Sequence, residues 1–351
     1  MWNRSGRPGP AELTDSHVAV FGRWAAERHG LDLTVYDDLW AFSVHHPEKF
    51  WADVATYFDV RFHSPWSETL ANSVMPGARW FHGATLNYVE QVFADDRGTG
   101  RAVVGVGEDG RSVELSWPEL RRQVAALAHT LRGAGVGTGD RVVGYLPDIV
   151  ETVVAFLATA SIGAVWASCG QEYPAAAAAD RLGQLQPIVL IAANGYRHSG
   201  RVHQRSDASA ALRAQLPTVS TVIAVDRLGT GNTEVPDALR WDAATEGEHE
   251  LELAPVLFDH PLWVLFSSGT TGTPKGIVHG HGGIVLEHLK NHAFHLDLGV
   301  ADTFFWYTSP SWTMGICKSP GCCSARRSFA TTAAPPTRGR VRCGGPPPNR
   351  K

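Results

Sequence analysis

Cysteine is nearly missing from most of this 351-residue chain: residues 1–314 hold only Cys169, while Cys317, Cys322, Cys323 and Cys343 crowd into the remainder. That usage excludes a disulfide scaffold for the body of the protein. The N-terminus, Met1 to Leu13, carries arginines with no apolar core behind them, so it does not read as a secretory signal. No apolar run reaches the length of a membrane span. The longest, Val153 to Cys169, is interrupted by Thr159, Ser161 and Gly163. A break at Gly163 turns it into a buried helix over 149–160 and a buried strand over 164–167. A soluble, cytoplasmic protein with no membrane partner is therefore expected.

An excess of one charge is also lacking. Lysine and arginine number 31 against 35 acidic residues, a net charge of −4, which gives no basic field for nucleic acid. That average hides a split. Gly315 to Lys351 contains eight basic residues and no acidic one, so residues 1–314, with 23 basic and 35 acidic, carry −12. There is no internal repeat and, before Met314, no low-complexity stretch beyond the alanines at 175–179. What is present is a chain with 44% hydrophobic residues, long enough to bury a large core and too long for one typical domain.

The spacing predicts helices over 17–28, 37–44 and 47–57, the last two opened by Asp or Pro in positions suited to a helix start. Their aromatic density (Trp24, Trp40, Phe50, Trp51, Tyr57) suggests a cap packed on something larger. A turn followed by a helix is read over 80–88. Strands over 102–106, 112–115, 141–145, 164–167, 188–192 and 221–224 then alternate with helices, among them 117–134 and 175–185. Such alternation argues for an α/β fold with a doubly wound, mainly parallel sheet flanked by helices.

Trp263 to Phe266 reads as a buried strand, and Ser267-Ser268-Gly269-Thr270-Thr271-Gly272-Thr273-Pro274-Lys275-Gly276 follows it directly. Three glycines let the backbone turn its N–H groups toward an anion, the hydroxyls add donors, and Lys275 adds positive charge. That chemistry suits a polyphosphate. The nucleotide triphosphatase pattern G-x-x-x-x-G-K-[ST] fails, because Pro274 stands where its second glycine belongs, and the dinucleotide pattern G-x-G-x-x-G fails as well.

The segment Phe266 to Ile277 resembles the phosphate-binding signature of the adenylate-forming acyl-CoA synthetase superfamily. Leu115-Ser-Trp-Pro-Glu-Leu120, Gly163-Ala-Val-Trp-Ala-Ser168 and Asp180-Arg181 resemble its early core motifs. Met75 to Tyr88 is similar to the N-terminal region of the acetyl-CoA and acetoacetyl-CoA synthetase branch. His279 to Lys290 and Phe305 to Met314 look more like the acetoacetate-specific than the acetate-specific members. The resemblance covers roughly residues 16 to 314. It implies a flexible stretch at 1–15, a helical cap over 16–95 and a partial, incomplete adenylate-forming domain over 96–314.

By the same resemblance the substrates are acetoacetate, ATP and coenzyme A, with magnesium. Ser267, Ser268, Gly269, Thr270, Thr271, Gly272, Thr273 and Lys275 would clasp the ATP phosphates. Trp312, Thr313 and Met314 would line the acyl pocket, and Arg197 and Arg201 would contact coenzyme A. An acetyl- or other short-chain acyl-CoA synthetase, or a non-catalytic nucleotide-binding remnant, is the alternative. His279, His281, His288, His292 and His295 are dense, and His288/His292 stand at i,i+4, but no acidic residue completes a zinc pattern. They read as packing or solvated histidines, Cys169 as a buried small side chain, and no metal site is expected.

After Met314 the family pattern is expected to stop. The stretch 315–351 has clustered prolines, no apolar periodicity and no C-x-x-C pair, so it reads as a disordered tail and not as a zinc ribbon. Written as degenerate codons, with one thymine placed in front and the frame shifted, residues 315–335 permit a peptide patterned as a buried helix, a glycine turn and a strand. A single-nucleotide loss after the Met314 codon is the expectation. With that frame would go the adenine- and ribose-holding motifs and the adenylation lysine that the resemblance implies, so the chain as written is expected to lack synthetase activity.

Overall fold

The computed structural model describes residues 14–94, 98–231, 235–267, 272–299, 302–306, 308–312 and, as backbone, 329–332. Three helices come first: α1 (His17–His29), α2 (Tyr36–His45) and α3 (Pro47–Tyr57). Gly30 closes α1 in the left-handed region at φ 64°, its N–H reaching Ala26 O, a role glycine fills without a Cβ clash. Asp53 on α3 is 2% exposed and binds the end of α1 through Arg28 Nε at 3.1 Å and His29 Nε2 at 2.6 Å. Phe21 packs its ring against Phe50, Tyr57 and Phe294, which seats these helices on the rest of the protein.

The stretch read as a turn and helix over 80–88 is instead mostly strand. Strands β1 (Glu68–Asn72) and β2 (Arg79–His82) pair antiparallel, β3 (Thr85–Leu86) follows, and only then does helix α4 (Tyr88–Val92) begin. Asn87 starts that helix. Its Oδ1 accepts from Val89 N, while its buried Nδ2 donates toward the carbonyls of Ala160, Ser161 and Ala254.

Next come β4 (Arg101–Val106), β5 (Ser112–Ser116), α5 (Trp117–Gly133), β6 (Arg141–Tyr145), α6 (Val150–Ser161), β7 (Val165–Cys169), α7 (Ala175–Leu182) and β8 (Val189–Ala193). Ser116 caps α5 by accepting from Glu119 N, with Pro118 in the first turn, so the Leu115–Leu120 motif is a helix start. Gly163, at φ 76°, turns the chain from α6 into β7, and every residue of that strand is buried. The apolar run is thus a helix and a strand. Among the described residues no helix is long and apolar enough to cross a membrane.

The remaining elements are β9 (Gly195–His198), β10 (Arg201–Gln204), α8 (Ser206–Ala214), β11 (Thr221–Val225), β12 (Leu239–Arg240), α9 (Trp241–Ala244), β13 (Val256–Leu257), β14 (Pro261–Ser267), β15 (Lys275–Gly280), α10 (His281–Lys290), a π-helical turn (Asn291–His295), β16 (Phe304–Phe305) and β17 (Phe329–Thr332). The large sheet has seven strands in the order β12-β11-β8-β6-β7-β14-β15. All neighbours are parallel except β14 and β15. Trp166 and Trp263 lie fully buried side by side across the β7–β14 pairing. A smaller sheet runs β16-β17-β4-β5.

The tail expected to be without structure therefore contributes one strand, since β17 pairs in parallel with β4 and β16. Phe329-Ala-Thr-Thr is rich in residues that favour strands, a local signal the surrounding prolines obscured. Residues 1–13 and the other tail residues, 313–328 and 333–351, lie outside the described residues.

Candidate functional site

The parallel strands of the large sheet all point their carboxyl ends the same way. The chain enters at β6, adds β7 on one side, then crosses to place β8 and β11 on the other. In sheets of this kind ligands bind outside the carboxyl ends, at the point where the strand order reverses, which here lies between β6 and β8. Three features with predicted roles sit along that edge.

The first is the loop after β14. Ser267 closes β14 and Lys275 opens β15, and the two are paired across the antiparallel ladder, with Ser267 Oγ directed at Lys275 O at 3.5 Å. The sequence reading missed β15, because Lys275–Gly280 is mostly exposed and lacks an apolar alternation. The exit of the loop is held from outside by Gln184, whose Nε2 donates to Pro274 O at 3.0 Å and to Asp180 O at 2.7 Å. Gly272 has φ 147° with nothing within 4 Å of an added Cβ, and Thr273 and Lys275 are exposed, so this arm of the loop is open to a ligand. Ser268, Gly269, Thr270 and Thr271 lie outside the described residues.

The second is the segment 308–312, which crosses the end of β7, the strand next to β14. Ser168 Oγ donates to Pro310 O at 3.3 Å, and Ser309 Oγ donates to Glu172 Oε1 at 3.4 Å. Trp312 is thereby brought to the same edge as the loop after β14, but at 63% exposure it closes no pocket by itself. Thr313 and Met314 lie outside the described residues.

The third is a cavity of about 340 Å³ at the reversal point. One wall is the β4–β5 turn, including Glu108 and Arg111; the other includes Pro147, Tyr196, Arg197 and Arg227. The segment carrying Arg197 and Arg201 is an antiparallel hairpin, β9–β10, turned tightly by Ser199 (φ 52°) and Gly200 (φ 71°). Arg197 is opposite Val202, and His198 is opposite Arg201. Cross-strand partners share a face, so Arg197 and Arg201 point to opposite sides of the ribbon. Only Arg197 lines the cavity. The structure does not bring the two arginines together.

Two acidic groups around this cavity are held ionised. Burial pushes Glu108 up, but the N–H groups of Gly200 and Ser199 and the nearby His198 outweigh it and lower its pKa. Burial likewise opposes ionisation of Asp226, and the bonds from Gly231, Asn194 and Thr230 overcome it. Nothing in the sequence marked Glu108, which lies in an ordinary Glu-Asp-Gly turn.

The histidines of the 279–295 stretch divide by environment. His281, His288 and His292 are buried, while His295 is exposed. Trp263 Nε1 donates to His279 Nδ1 at 2.9 Å, and Tyr88 N donates to His281 Nδ1 at 3.2 Å. Burial lowers the pKa of His279, that of His281 to about 3, and that of His288 far below the usual imidazole range. These are packing groups kept neutral, as read. Among the described residues no group of three or more His, Cys, Asp or Glu could hold a metal ion.

With this geometry in place, comparison with known proteins gives a consistent result. Residues 91–332 match the AMP-binding enzyme family, and residues 36–92 match the acetyl-coenzyme A synthetase N-terminus. The first match runs past Met314, where the resemblance was expected to stop. The chain is 35% identical over 305 residues to the acetoacetyl-coenzyme A synthetase of Rhizobium meliloti, covering 85% of this chain and 46% of that protein. It is 33% identical over 298 residues to the acetoacetyl-CoA synthetase of Macaca fascicularis, covering 81% of this chain and 44% of that one. Among solved structures, the acetoacetyl-CoA synthetase from Streptomyces lividans superposes with a TM-score of 0.88 at 43% identity, over 93% of this chain and 51% of that chain. The chain spans about half the length of these relatives.

Proposed function

The chain belongs to the AMP-binding enzyme family, and on that premise we propose that it serves the ATP-dependent ligation of acetoacetate to coenzyme A. In the first step a carboxylate oxygen of acetoacetate attacks the α-phosphorus of ATP, forming an acyl-adenylate as the bond to pyrophosphate breaks. In the second the coenzyme A sulfur attacks the acyl carbon, the thioester forms and AMP leaves. Negative charge gathers on phosphoryl oxygens throughout the first step, and donors already in position stabilise it. Ser267 to Thr273 and Lys275 are assigned that work.

The observation carrying this reading is that the β14–β15 hairpin and the segment 308–312 meet the same sheet edge on neighbouring strands. A phosphate clasp and an acyl-binding segment at that separation suit attack of a bound acid on a bound nucleotide. Trp312, together with Thr313 and Met314, is assigned to the acyl group. For coenzyme A, Arg197 in the cavity is the better placed of the two arginines, and its fork suits a phosphate. Arg201 is assigned to the opposite face of the hairpin. Magnesium would arrive bound to the ATP phosphates, keeping most of its waters, and it supplies charge neutralisation there. That suits a hydroxyl-rich loop with no acidic cluster. A cytoplasmic location, where ATP and coenzyme A are available, is proposed with this function.

A frame change after the Met314 codon remains a proposal although the family match and strand β17 both run past it, and sequencing the gene across that codon decides it. The test of function is acid-dependent pyrophosphate exchange into ATP, run on the 351-residue chain and on a version with the frame restored after Met314. Exchange with acetoacetate in the restored protein, well above that with acetate, is expected. Equal exchange with acetate would move the assignment to a short-chain acyl-CoA synthetase, and no exchange with either acid would overturn it.

A further inference from the structure

The tip of the β9–β10 hairpin is bound by a single side chain from the other sheet. Glu108, in the β4–β5 turn, accepts from Ser199 N at 2.8 Å through Oε1 and from Gly200 N at 3.0 Å through Oε2. Its carboxylate is 13% exposed, and His198 Nδ1 lies 3.8 Å away. Two backbone donors at consecutive turn residues, both with positive φ, form a small concavity that matches a carboxylate. The base of the hairpin is fixed separately. Asn194 O accepts from Arg205 N, Arg205 Nε donates to Gln171 O at 2.8 Å, and Tyr196 stacks on His203 at 4.8 Å.

Glu108 and Arg197 therefore stand on the two walls of one cavity, and Glu108 joins those walls at the turn two residues beyond Arg197. The Glu108 turn is itself rigid. Gly107 N donates to Arg111 O, Gly110 N to Gly107 O, and Arg111 N to Asp109 Oδ1. A bidentate contact between two stiff turns sets the width of the cavity and the height at which Arg197 enters it.

We propose that Glu108 is a positioning residue: by clamping Ser199 and Gly200 it holds Arg197 across the cavity to receive the ribose phosphate of coenzyme A. This rests on the reading of Arg197 given above. Glu108 touches no ligand and acts through the hairpin. Charge-assisted bonds to backbone N–H groups are among the stronger ones, so losing both frees the turn while the anchored base keeps the hairpin folded.

The experiment is equilibrium binding of coenzyme A and of dephospho-coenzyme A, by titration calorimetry, to the 351-residue chain and to Glu108→Ala, Glu108→Gln, Arg197→Ala and the Glu108→Ala/Arg197→Ala double variant. Glu108→Ala and Arg197→Ala are each expected to weaken coenzyme A binding about tenfold, and the double variant to be no weaker than Arg197→Ala, because coupled residues do not add. Affinity for dephospho-coenzyme A, which lacks the phosphate, should stay within about twofold in all four, a selectivity that general unfolding would not give. Glu108→Gln keeps one accepting oxygen and nearly the same shape; its loss should be intermediate, and it covers the case in which Glu108→Ala fails to fold. Unchanged coenzyme A binding in Glu108→Ala, additive losses, or equal losses for both ligands would overturn the clamp alone. Tighter binding in Glu108→Ala would overturn it too, showing that the carboxylate competes with the ligand for the turn. If the unsubstituted chain binds neither ligand, the reading of the cavity falls, and the clamp with it.

Discussion

Ser267 and Lys275 face each other across the β14–β15 ladder, so the two ends of the loop proposed to clasp phosphate are fixed in register by backbone pairing before any ligand is bound. Lys275 is exposed and makes no ion pair among the described residues, which leaves its ammonium free to meet phosphate. In the frame-restored protein, Lys275→Ala is expected to lower acetoacetate-dependent pyrophosphate exchange by about a hundredfold, the scale seen when one charge-stabilising donor is lost. The circular dichroism spectrum should not change. Retention of most of the activity would remove Lys275 from the phosphate site.

Asp53 is the point where α1 and α3 are joined. Its carboxylate is almost fully buried between Arg28 and His29, and removing it deletes both bonds that tie the end of α1 to α3. Asp53→Ala is expected to destabilise the protein by about 2 kcal/mol, the scale of lost hydrogen bonds to a charged group, since the Arg28 it leaves behind is half exposed and open to water. Urea unfolding followed by tryptophan fluorescence measures it. A change under about 0.5 kcal/mol, typical of surface pairs, would show that the cluster is solvated in practice.

Stability should also depend on pH through the buried imidazoles. His281 is held to a pKa of about 3 against 6.5 for an ordinary histidine, and His288 is lowered as well, in both cases chiefly by burial. Between about pH 6.5 and 3 the unfolded chain therefore binds protons that the folded chain does not. Folding stability is at its full value above the ordinary imidazole pKa and falls as pH drops through that window, by up to about 1.4 kcal/mol per unit for each such group. Urea midpoints at pH 7.5 and 5.0 test this, with His288→Phe expected to reduce the difference between them. An equal difference in that variant would assign the pH dependence to other groups.

Much of the fold could be read from the chain because its strongest signals are local. Ser116 before Pro118 marks the start of α5, Gly163 marks the end of α6, and the buried runs of β6, β7, β8 and β11 fall within a residue or two of where hydrophobic patterning puts them. Five of the missed strands share one cause. β1, β2, β9, β10 and β15 are short strands on ribbons or edges, whose residues face solvent on much of their length and so lack an apolar pattern. At the site, composition pointed to a polyphosphate loop after β14, and the family resemblance made it one for ATP. The opposed faces of Arg197 and Arg201 could not be read, because they depend on the two-residue turn at Ser199-Gly200 and its register. Glu108 was invisible for a related reason: its partners are backbone N–H groups, which carry no sequence signature.

Cys169 closes β7 at the site edge, and its chemistry follows from that position. It is 1% exposed, and burial raises its thiol from the ordinary 9.0 to about 12, with Arg181 opposing only in part. At pH 7.5 the native thiol is therefore protonated and shielded, so it should resist a maleimide that labels it readily after denaturation. Peptide mapping is the readout, because Cys317, Cys322, Cys323 and Cys343 would otherwise contribute to any total thiol count. The linkage runs opposite to that of the histidines. A raised folded pKa means that the folded chain keeps its proton above pH 9 while the unfolded chain loses it, so this contribution is whole below about 9 and fades as pH rises toward 12. Rapid labelling of Cys169 in the native chain at pH 7.5 would mean that the end of β7 opens to solvent, and the seating of segment 308–312 over Ser168 would then have to be abandoned with it.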